Sequence, residues 1–430
     1  MNRREFLLRL SAATAAFALA RRAGSAVPEP ASPADSSAAR GPGVPSGVAL
    51  IAAAGDTTLG YNLQAHFDEQ SAAGLPRDLL FPMYFSGVKP ILDWADLTLV
   101  NLECPFTERG EPIPKNFNFR ARRELVEILR EGKVGAVTLA NNHLMDYGAT
   151  GVEDTIATLD GAGIKHFGAG ATLAAARSPL VVERRGVRLG FLGYYYQDAR
   201  DMLEPAALYA TDHSAGVAGC YTDLACMRSM LEADVAALLP RVDAVIPFFH
   251  WGHEGSYEVR DYQVELAHHS VDLGCRAVLG SHPHRFQGVE IYREAPIFYS
   301  LGNFVFGGNK DPQDKLSAIA RLRVPRSGAI EAELIPVQIT RWPEAPFQPF
   351  PLELDEKIAA LARIGELSRD FPATLRELEL ARFEAVQRGL GATRPDSTSS
   401  LRATGSSSPS DSLARGLQAP ADSSEGSPHR

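Results

Sequence analysis

Five short, apolar, β-prone runs in this chain each stop at residues with metal-ligand chemistry. That recurrence constrains the fold more than any other feature of the 430 residues. The run 48–54 ends at Gly55-Asp56, 97–100 at Asn101-Leu102-Glu103, and 134–140 at Asn141-Asn142-His143. The run 242–249 ends at His250-Trp251-Gly252-His253-Glu254, and 276–279 at Gly280-Ser281-His282-Pro283-His284. Stretches of helical character, 122–131, 148–159 and 223–239, lie among them. Apolar strands alternating with helices predict an α/β sheet covered on both faces. In such sheets ligands gather beyond the carboxyl ends of the strands. Asp56, Glu103, Asn142, His143, His250, His282 and His284 are therefore expected at one edge. Singly, most have an ordinary reading: Gly55-Asp56 as a turn, Asn141 and Asn142 as a helix cap, His250 as a packed core histidine. Two imidazoles flanking a proline after a glycine are an expensive arrangement for packing alone, and five such strand ends together favour a site. Carboxylate, amide oxygen and imidazole in combination suit borderline divalent ions such as Mn²⁺, Fe²⁺ or Zn²⁺.

The ends of the chain have a different character. Arg3-Arg4 is followed by Glu5, Phe6 and Leu7 and by a soft apolar stretch to Ala20, the pattern of a twin-arginine export signal. The stretch contains Arg9 and is too short to span a bilayer comfortably, which takes about 20 apolar residues. Residues 1–26 are expected to be the signal peptide, with small residues at Ala23, Ser25 and Ala26 for cleavage, and the protein to be periplasmic or otherwise extracytoplasmic. Residues 27–47 read as a Pro/Ala/Ser/Gly linker and 48–349 as the main domain. In 350–392, Leu361, Ile364 and Leu367, then Leu375, Leu378, Phe383 and Val386, predict two C-terminal helices split by Pro372. Residues 393–430 are expected to be disordered. With 43 basic against 52 acidic residues the chain carries a formal charge of −9, which argues against nucleic acid as a partner. No two of the four cysteines have CxxC spacing, so a zinc–thiolate site is not expected. A Cys220–Cys226 disulfide and unpaired buried thiols both fit the spacing.

At the level of motifs the chain resembles the CapA family of bacterial capsule (poly-γ-glutamate) synthesis proteins. Gly55-Asp56, Asn101-Leu102-Glu103, Leu139-Ala140-Asn141-Asn142-His143 with Asp146-Tyr147-Gly148, His250-Trp251-Gly252-His253-Glu254, Gly280-Ser281-His282-Pro283-His284 and Tyr299-Ser300-Leu301-Gly302-Asn303-Phe304 carry the likeness. It covers about residues 48–306 in the family's motif order. The resemblance implies the calcineurin-like metallophosphatase fold, a two-sheet α/β/β/α sandwich, here with C-terminal helices and disordered ends. It further implies one or two divalent metal ions. Asp56 and His284 would bind the first, Asn142, His250 and His282 the second, and Glu103 would stand where a bridging aspartate is usual. His143 would protonate the leaving group as general acid or hold the phosphoryl oxygen, oriented by Asp146. Two departures from active metallophosphatases stand out: Thr58 replaces the histidine of Asp-x-His, and Asn101-x-Glu103 replaces Gly-Asp-x-x-Asp.

What this implies for function is metal-assisted hydrolysis of an anionic polymer or of its phosphorylated precursor, with a membrane synthase complex as a further partner. A non-catalytic, polymer- or synthase-binding role with a structural metal is the alternative, and Thr58 is the residue that favours it. Asn303, Arg285 and Glu254 are the expected substrate-side residues, Glu254 also as a partner of an imidazole, and His253 is expected to be exposed. Arg120, Arg122, Arg123 and Arg285 would make the groove locally basic for a polyanion. Tyr194-Tyr195-Tyr196 reads either as a groove lining or, with more weight, as a strand end with alternating burial.

Overall fold

The computed structural model describes residues 46–201 and 203–371. The expected signal peptide, nearly all of the linker, the second C-terminal helix and the tail lie outside these residues. In chain order the strands are β1 (Val48–Thr58), β2 (Leu97–Leu102), β3 (Val134–Thr138), β4 (Lys165–Phe167), β5 (Ala169–Gly170), β6 (Leu180–Arg184), β7 (Val187–Tyr195), β8 (Gly216–Val217), β9 (Ala244–His250), β10 (Val278–Ser281), β11 (Val289–Tyr292), β12 (Ala295–Phe298), β13 (Asn303–Phe306), β14 (Leu316–Pro325), β15 (Glu331–Gln338) and β16 (Phe350–Pro351). One sheet runs β16-β15-β14-β1-β2-β3-β4, with β13 added at the end of β1; the other runs β11-β12-β10-β9-β7-β6. β5 and β8 form a small separate ribbon.

Side-chain alternation along the central strands sorts the apolar residues into three cores. Ile51 and Ala53 of β1 meet Ile246 and Phe248 of β9 and Leu279 of β10 between the two sheets. Ala52 and Ala54 face outward to the helices Asn62–Ala72 and Val126–Glu131, packing with Leu63, Phe67, Ile128 and Leu129. Val245 and Phe249 face the other way, onto Met227, Leu231 and Val235 of the helix Leu224–Leu238 and Leu266 of the helix Asp261–Asp272. Two sheets back to back, each with helices outside, make the expected α/β/β/α sandwich. The first C-terminal helix, Leu354–Leu367, buries Ile364 in the inter-sheet core, and Ser368 Oγ accepts the Val289 N–H at 3.0 Å. It therefore docks on the body.

Local details differ from the sequence expectation. The stretch 122–131 begins as a 3₁₀ turn, Arg123–Leu125, before the helix Val126–Glu131. Tyr194, Tyr195 and Tyr196 are all buried, so neither a groove lining nor alternating burial describes them. Tyr194 and Tyr196 enter the outer helical core, and the Tyr194 hydroxyl donates to Asp234 at 2.8 Å. Tyr195 turns the opposite way, its ring 5.6 Å from that of His250.

The cysteines resolve into a Cys220–Cys226 disulfide and two buried free thiols, Cys104 and Cys275. Burial pushes the Cys104 thiol up to about 12 and the Cys275 thiol higher still, so neither is a ready nucleophile. A thiol-specific reagent should find no reactive group in the native, unreduced protein and two after denaturation without reductant. Four thiols under the second condition would show that the disulfide does not form.

Candidate metal centre

The carboxyl ends of β1, β2 and β3 from one sheet and of β9 and β10 from the other converge on a single point. Register does the alignment: Asp56 pairs with Asn101 on one side and Asn303 on the other, while His250 sits between Tyr195 and Ser281. On β9, His250 shares the parity of Ile246 and Phe248, so it points inward between the sheets. On β1 the parity is broken. Four residues of β1, Ala53 to Asp56, lie against three of β2, Leu99 to Asn101. That extra residue turns Asp56 to the inner side, where simple alternation would have set it outward with Ala52 and Ala54. The glycines before the ligands have a steric reason. A Cβ on Gly55 would overlap the Gly302 carbonyl, and one on Gly280 the Tyr299 carbonyl. His282 and His284 both have left-handed backbones, φ 105° and 53°. Such conformations cost non-glycine residues on the order of 1–3 kcal/mol each and are held by their surroundings.

Two groups of ligand-type atoms result, Glu103 with His250 and His282, and Asp56 with Glu103 and His284, each within 4.8 Å and each able to hold a metal ion. Glu103 belongs to both. It is fully buried and neither of its carboxylate oxygens has a hydrogen-bond partner, yet His250 Nε2 and His284 Nε2 lie 3.5 and 3.7 Å from Oε1. A buried, unsatisfied carboxylate facing imidazoles is what a divalent cation would complete. The imidazoles are oriented from behind: Ser281 Oγ lies 3.0 Å from His250 Nδ1, and Asn303 Oδ1 2.8 Å from His284 Nδ1. Asn142 Oδ1 lies 2.9 Å from His250 Nε2, placing the amide beside the Glu103–His250–His282 group. Asn141 Oδ1 accepts from the backbone N–H of His143 and Leu144, so it, rather than Asn142, holds the turn that follows β3.

Charge is distributed unevenly in the site. Burial works against Asp56, but the hydrogen bond and charge of His284, 3.3 Å away, and the Asn101 amide hold it below the usual carboxylate range. Burial likewise opposes a charge on His284, which Glu103 and Asp56 nevertheless push up to about 10. Glu103 is pushed well above the ordinary value, first by burial and then by Asp56. Burial lowers His282 to about 4, with the His284 charge adding to it, and takes His250 well below the imidazole range. Without an ion the Asp56–His284 pair is thus the ionic one and His250 and His282 are neutral; an ion at the Asp56 group would take the place of the His284 proton, because a ligating imidazole must be neutral.

A cleft of about 850 Å³ opens over this cluster, with His143, Asn142, His284, Asn303, Arg285 and Glu254 in its wall. His143 Nδ1 lies 2.7 Å from Asp146 Oδ2, and its ring centroid lies 4.3 Å from that of Phe119, the two rings tilted by 36°. The expected Glu254–imidazole contact takes another form: Glu254 is exposed at the cleft and acts on His282 and His284 through its charge. His253, expected in solvent, is only partly exposed and also lines the cleft. The expected arginine-rich groove is corrected. Of the four arginines only Arg285 is in the cleft wall; Arg122 pairs with Asp68, Arg123 with Asp154, and Arg120 lies over the Tyr147 ring. Thr58 Oγ1 donates to the Glu103 carbonyl at 3.0 Å, leaving the Asp56 group at three residues.

Lys115, unremarkable in sequence, is a second cation of the cleft wall beside Arg285. Its side chain is 3% exposed and its Nζ lies 2.9 Å from Asp146 Oδ1. The 104–122 loop that carries it is fastened elsewhere by Asp154, which accepts from Thr107 Oγ1 at 2.6 Å and pairs with Arg109 and Arg123 at 2.5 and 2.6 Å. Asp154→Ala should lower stability by about 1–3 kcal/mol, because a buried hydroxyl and two guanidinium groups lose their acceptor. A denaturant midpoint unchanged from wild type would contradict this.

Similarity to known proteins matches this geometry. The family described as "Bacterial capsule synthesis protein PGA_cap" matches residues 50–308, which contain both ligand groups, His143 and Asp146. The capsule biosynthesis protein CapA of Bacillus anthracis is 30% identical over 262 residues, 59% of this chain and 61% of that protein. The PGA biosynthesis protein CapA of Bacillus subtilis is 29% identical over 273 residues, 61% of this chain and 66% of that protein. A probable polyglutamine synthesis accessory protein of Mycobacterium tuberculosis is 31% identical over 258 residues, 57% of this chain and 67% of that protein. The chain therefore spans less than two thirds of the length of either CapA protein. Strand ends converging on imidazole and carboxylate, in a metallophosphatase-like sandwich matched over more than half its length, place this chain in the bacterial capsule synthesis protein family PGA_cap.

Proposed function

We propose that this chain is an exported, metal-dependent hydrolase of capsule or poly-γ-glutamate biosynthesis, acting on an anionic polymer or its phosphorylated precursor. The observation that carries the reading is Glu103, a buried carboxylate without hydrogen bonds shared by two groups of ligand-type residues beneath an open cleft. Asp56, Glu103 and His284 would hold one ion, and Glu103, His250, His282 and Asn142 the other. The mixed oxygen and nitrogen donors suit Mn²⁺, Fe²⁺ or Zn²⁺. When bound, such an ion supplies Lewis-acid stabilisation of negative charge developing on the substrate.

The remaining work falls to the protein's own side chains. Asp146 accepts the Nδ1 proton of His143 and so leaves Nε2 as the nitrogen that exchanges a proton with the leaving group. Burial, with the Lys115 charge adding to it, holds His143 below the ordinary imidazole value against the pull of Asp146. Protonated at both nitrogens, His143 acts as general acid. Asn303, Arg285 and Glu254 bound the cleft on the substrate side.

Export is supported by the Arg3-Arg4 pattern and by the disulfide, which persists in oxidising compartments. Cell fractionation of an Arg3→Lys/Arg4→Lys variant tests it, since an unchanged extracytoplasmic yield would rule out the twin-arginine route. Thr58 favours a second reading, a polymer- or synthase-binding protein with a structural metal, because its hydroxyl is engaged by the backbone and adds nothing to the Asp56 group. Elemental analysis of the wild type and of His282→Ala/His284→Ala, followed by a screen of phosphoesters and γ-glutamyl polymers, decides between them. Metal lost in the double variant together with hydrolysis in the wild type supports the hydrolase. Metal without hydrolysis leaves the second reading. No metal, even after reconstitution with Mn²⁺ or Zn²⁺, ends the hydrolase reading.

A further inference from the structure

Lys115 brings a positive charge into the protein where the neighbouring acceptors satisfy it unequally. Nζ lies 2.7 Å from the Asn142 carbonyl, 2.9 Å from Asp146 Oδ1 and 3.4 Å from Glu204 Oε1. The nearby His143 Nδ1, also at 3.4 Å, is no acceptor, because its proton is given to Asp146 Oδ2. The Asn142 carbonyl is the hydrogen-bond acceptor of the ammonium, whereas Asp146 and Glu204 meet it as ion pairs, Glu204 at the longer distance. The same Glu204 oxygen receives the Asn142 Nδ2 amide, again at 3.4 Å.

Charge points the same way as distance. Asp146 already balances Lys115, so Glu204 adds a second negative charge that the pair does not require. Glu204 sits at the cleft with its side chain 17% exposed. Its backbone is tied separately, the N–H donating to Gln197 Oε1 at 2.7 Å and the carbonyl accepting from Gln197 Nε2 at 3.1 Å. The carboxylate can therefore swing out without moving the chain. Asn142 and His143 share the cleft wall with it, so an anion entering there meets the same donors.

We propose that Lys115 Nζ and Asn142 Nδ2 form an oxyanion subsite of the cleft, that Glu204 fills it in the unliganded protein, and that a ligand carboxylate or phosphate displaces Glu204. The inference rests on the functional reading above in placing the ligand in that cleft. It adds the ligand's anchoring group and an internal competitor: apparent affinity is reduced by the fraction of molecules in which Glu204 occupies the subsite.

Isothermal titration of the purified full chain with inorganic phosphate and with glutarate, at fixed ionic strength, tests this. Glu204→Gln and Glu204→Ala should each lower the dissociation constant of at least one probe about tenfold. Adding Lys115→Met should remove that gain, leaving the double variant no tighter than Lys115→Met alone. Gain with phosphate assigns a phosphorylated ligand, and gain with glutarate a carboxylate one. Equal or weaker binding in both Glu204 variants, gain that survives Lys115→Met, or loss of metal from Glu204→Gln would each overturn the proposal. Should Lys115→Met not fold, Glu204→Asp takes its place: it keeps the competing charge, so binding as tight as in Glu204→Gln overturns the proposal and a smaller gain supports it. Repeating the titrations after chelation separates the two ideas, because failure to bind metal ends the hydrolase reading while the Glu204 effect is still measured.

Discussion

Glu103→Gln is expected to change the sign of its effect on stability with metal content, stabilising the chelated protein and destabilising the loaded one. In the metal-free state the wild-type carboxylate is buried with no hydrogen bond to either oxygen. Burial and the neighbouring Asp56 push it well above the ordinary range. A carboxyl raised in this way contributes stability that is fully present below its unfolded value, about 4.3. That contribution is lost as pH rises through the folded value. At neutral pH the metal-free protein therefore carries the burden of Glu103, and a neutral amide of the same shape removes it. The thermal midpoint should rise by about 1–2 °C, the shift that corresponds to roughly 1 kcal/mol in a body of this size. With metal present the comparison inverts, because Glu103 belongs to both ligand groups. Losing binding at about 100 times the dissociation constant removes about 2.7 kcal/mol. The midpoint should then fall by roughly 4 °C. Thermal unfolding of both proteins, with chelator and with excess Mn²⁺ or Zn²⁺, reads all four values. The same sign under both conditions, with no effect of chelator on the wild type, would mean that this cluster binds no metal.

His143→Gln should lower the turnover of a phosphoester with a poor leaving group by about 10²–10⁴-fold while leaving metal content unchanged. His143 is outside both ligand groups, so its loss should not empty them. The test lies in the leaving group. A general acid matters most when the departing oxygen is basic, so a nitrophenyl ester should be affected far less than an alkyl one. Equal losses on both substrates would assign His143 to binding or positioning instead. Asp146 is a poorer probe, because besides His143 it accepts the Phe119 N–H at 2.5 Å and pairs with Lys115. Its removal would disturb the loop as well as the imidazole.

Much of the fold was legible because strands buried on both faces need long apolar runs, and the places where those runs stop are visible. β1, β2, β3, β9 and β10 are visible this way, to within four residues at their ends. The first C-terminal helix showed its apolar period at Leu361, Ile364 and Leu367, and Ile364 is fully buried. The site was less completely legible. Lys115 lies between Pro114 and Asn116 in a polar loop, with no periodicity to signal burial. What buries it comes from distant segments, Asp146 and Glu204, and Lys115 is separated from the latter by 89 positions. Asn101 and Ser281 stand next to the expected ligands, but the orienting contacts they make depend on which neighbour lies across the sheet, which the sequence does not display. The arginines failed in the opposite direction: a local cluster suggested a basic groove, but Asp68 and Asp154 take up Arg122 and Arg123.

The chain's own order of residues determined that there would be an α/β sandwich and that carboxylate, amide and imidazole would gather at strand ends. Both follow from local chemistry, since apolar runs must be buried and polar residues at their ends need not be. Tertiary structure decided which of those side chains meet. The extra residue between Ala53 and Asp56 carries Asp56 to the inner face, and the left-handed backbones of His282 and His284 fold the pair back over the two sheets. The physical reason is that side-chain direction in a strand flips with every residue, so one extra residue reverses it, and pairing between strands alone reveals where the extra residue falls.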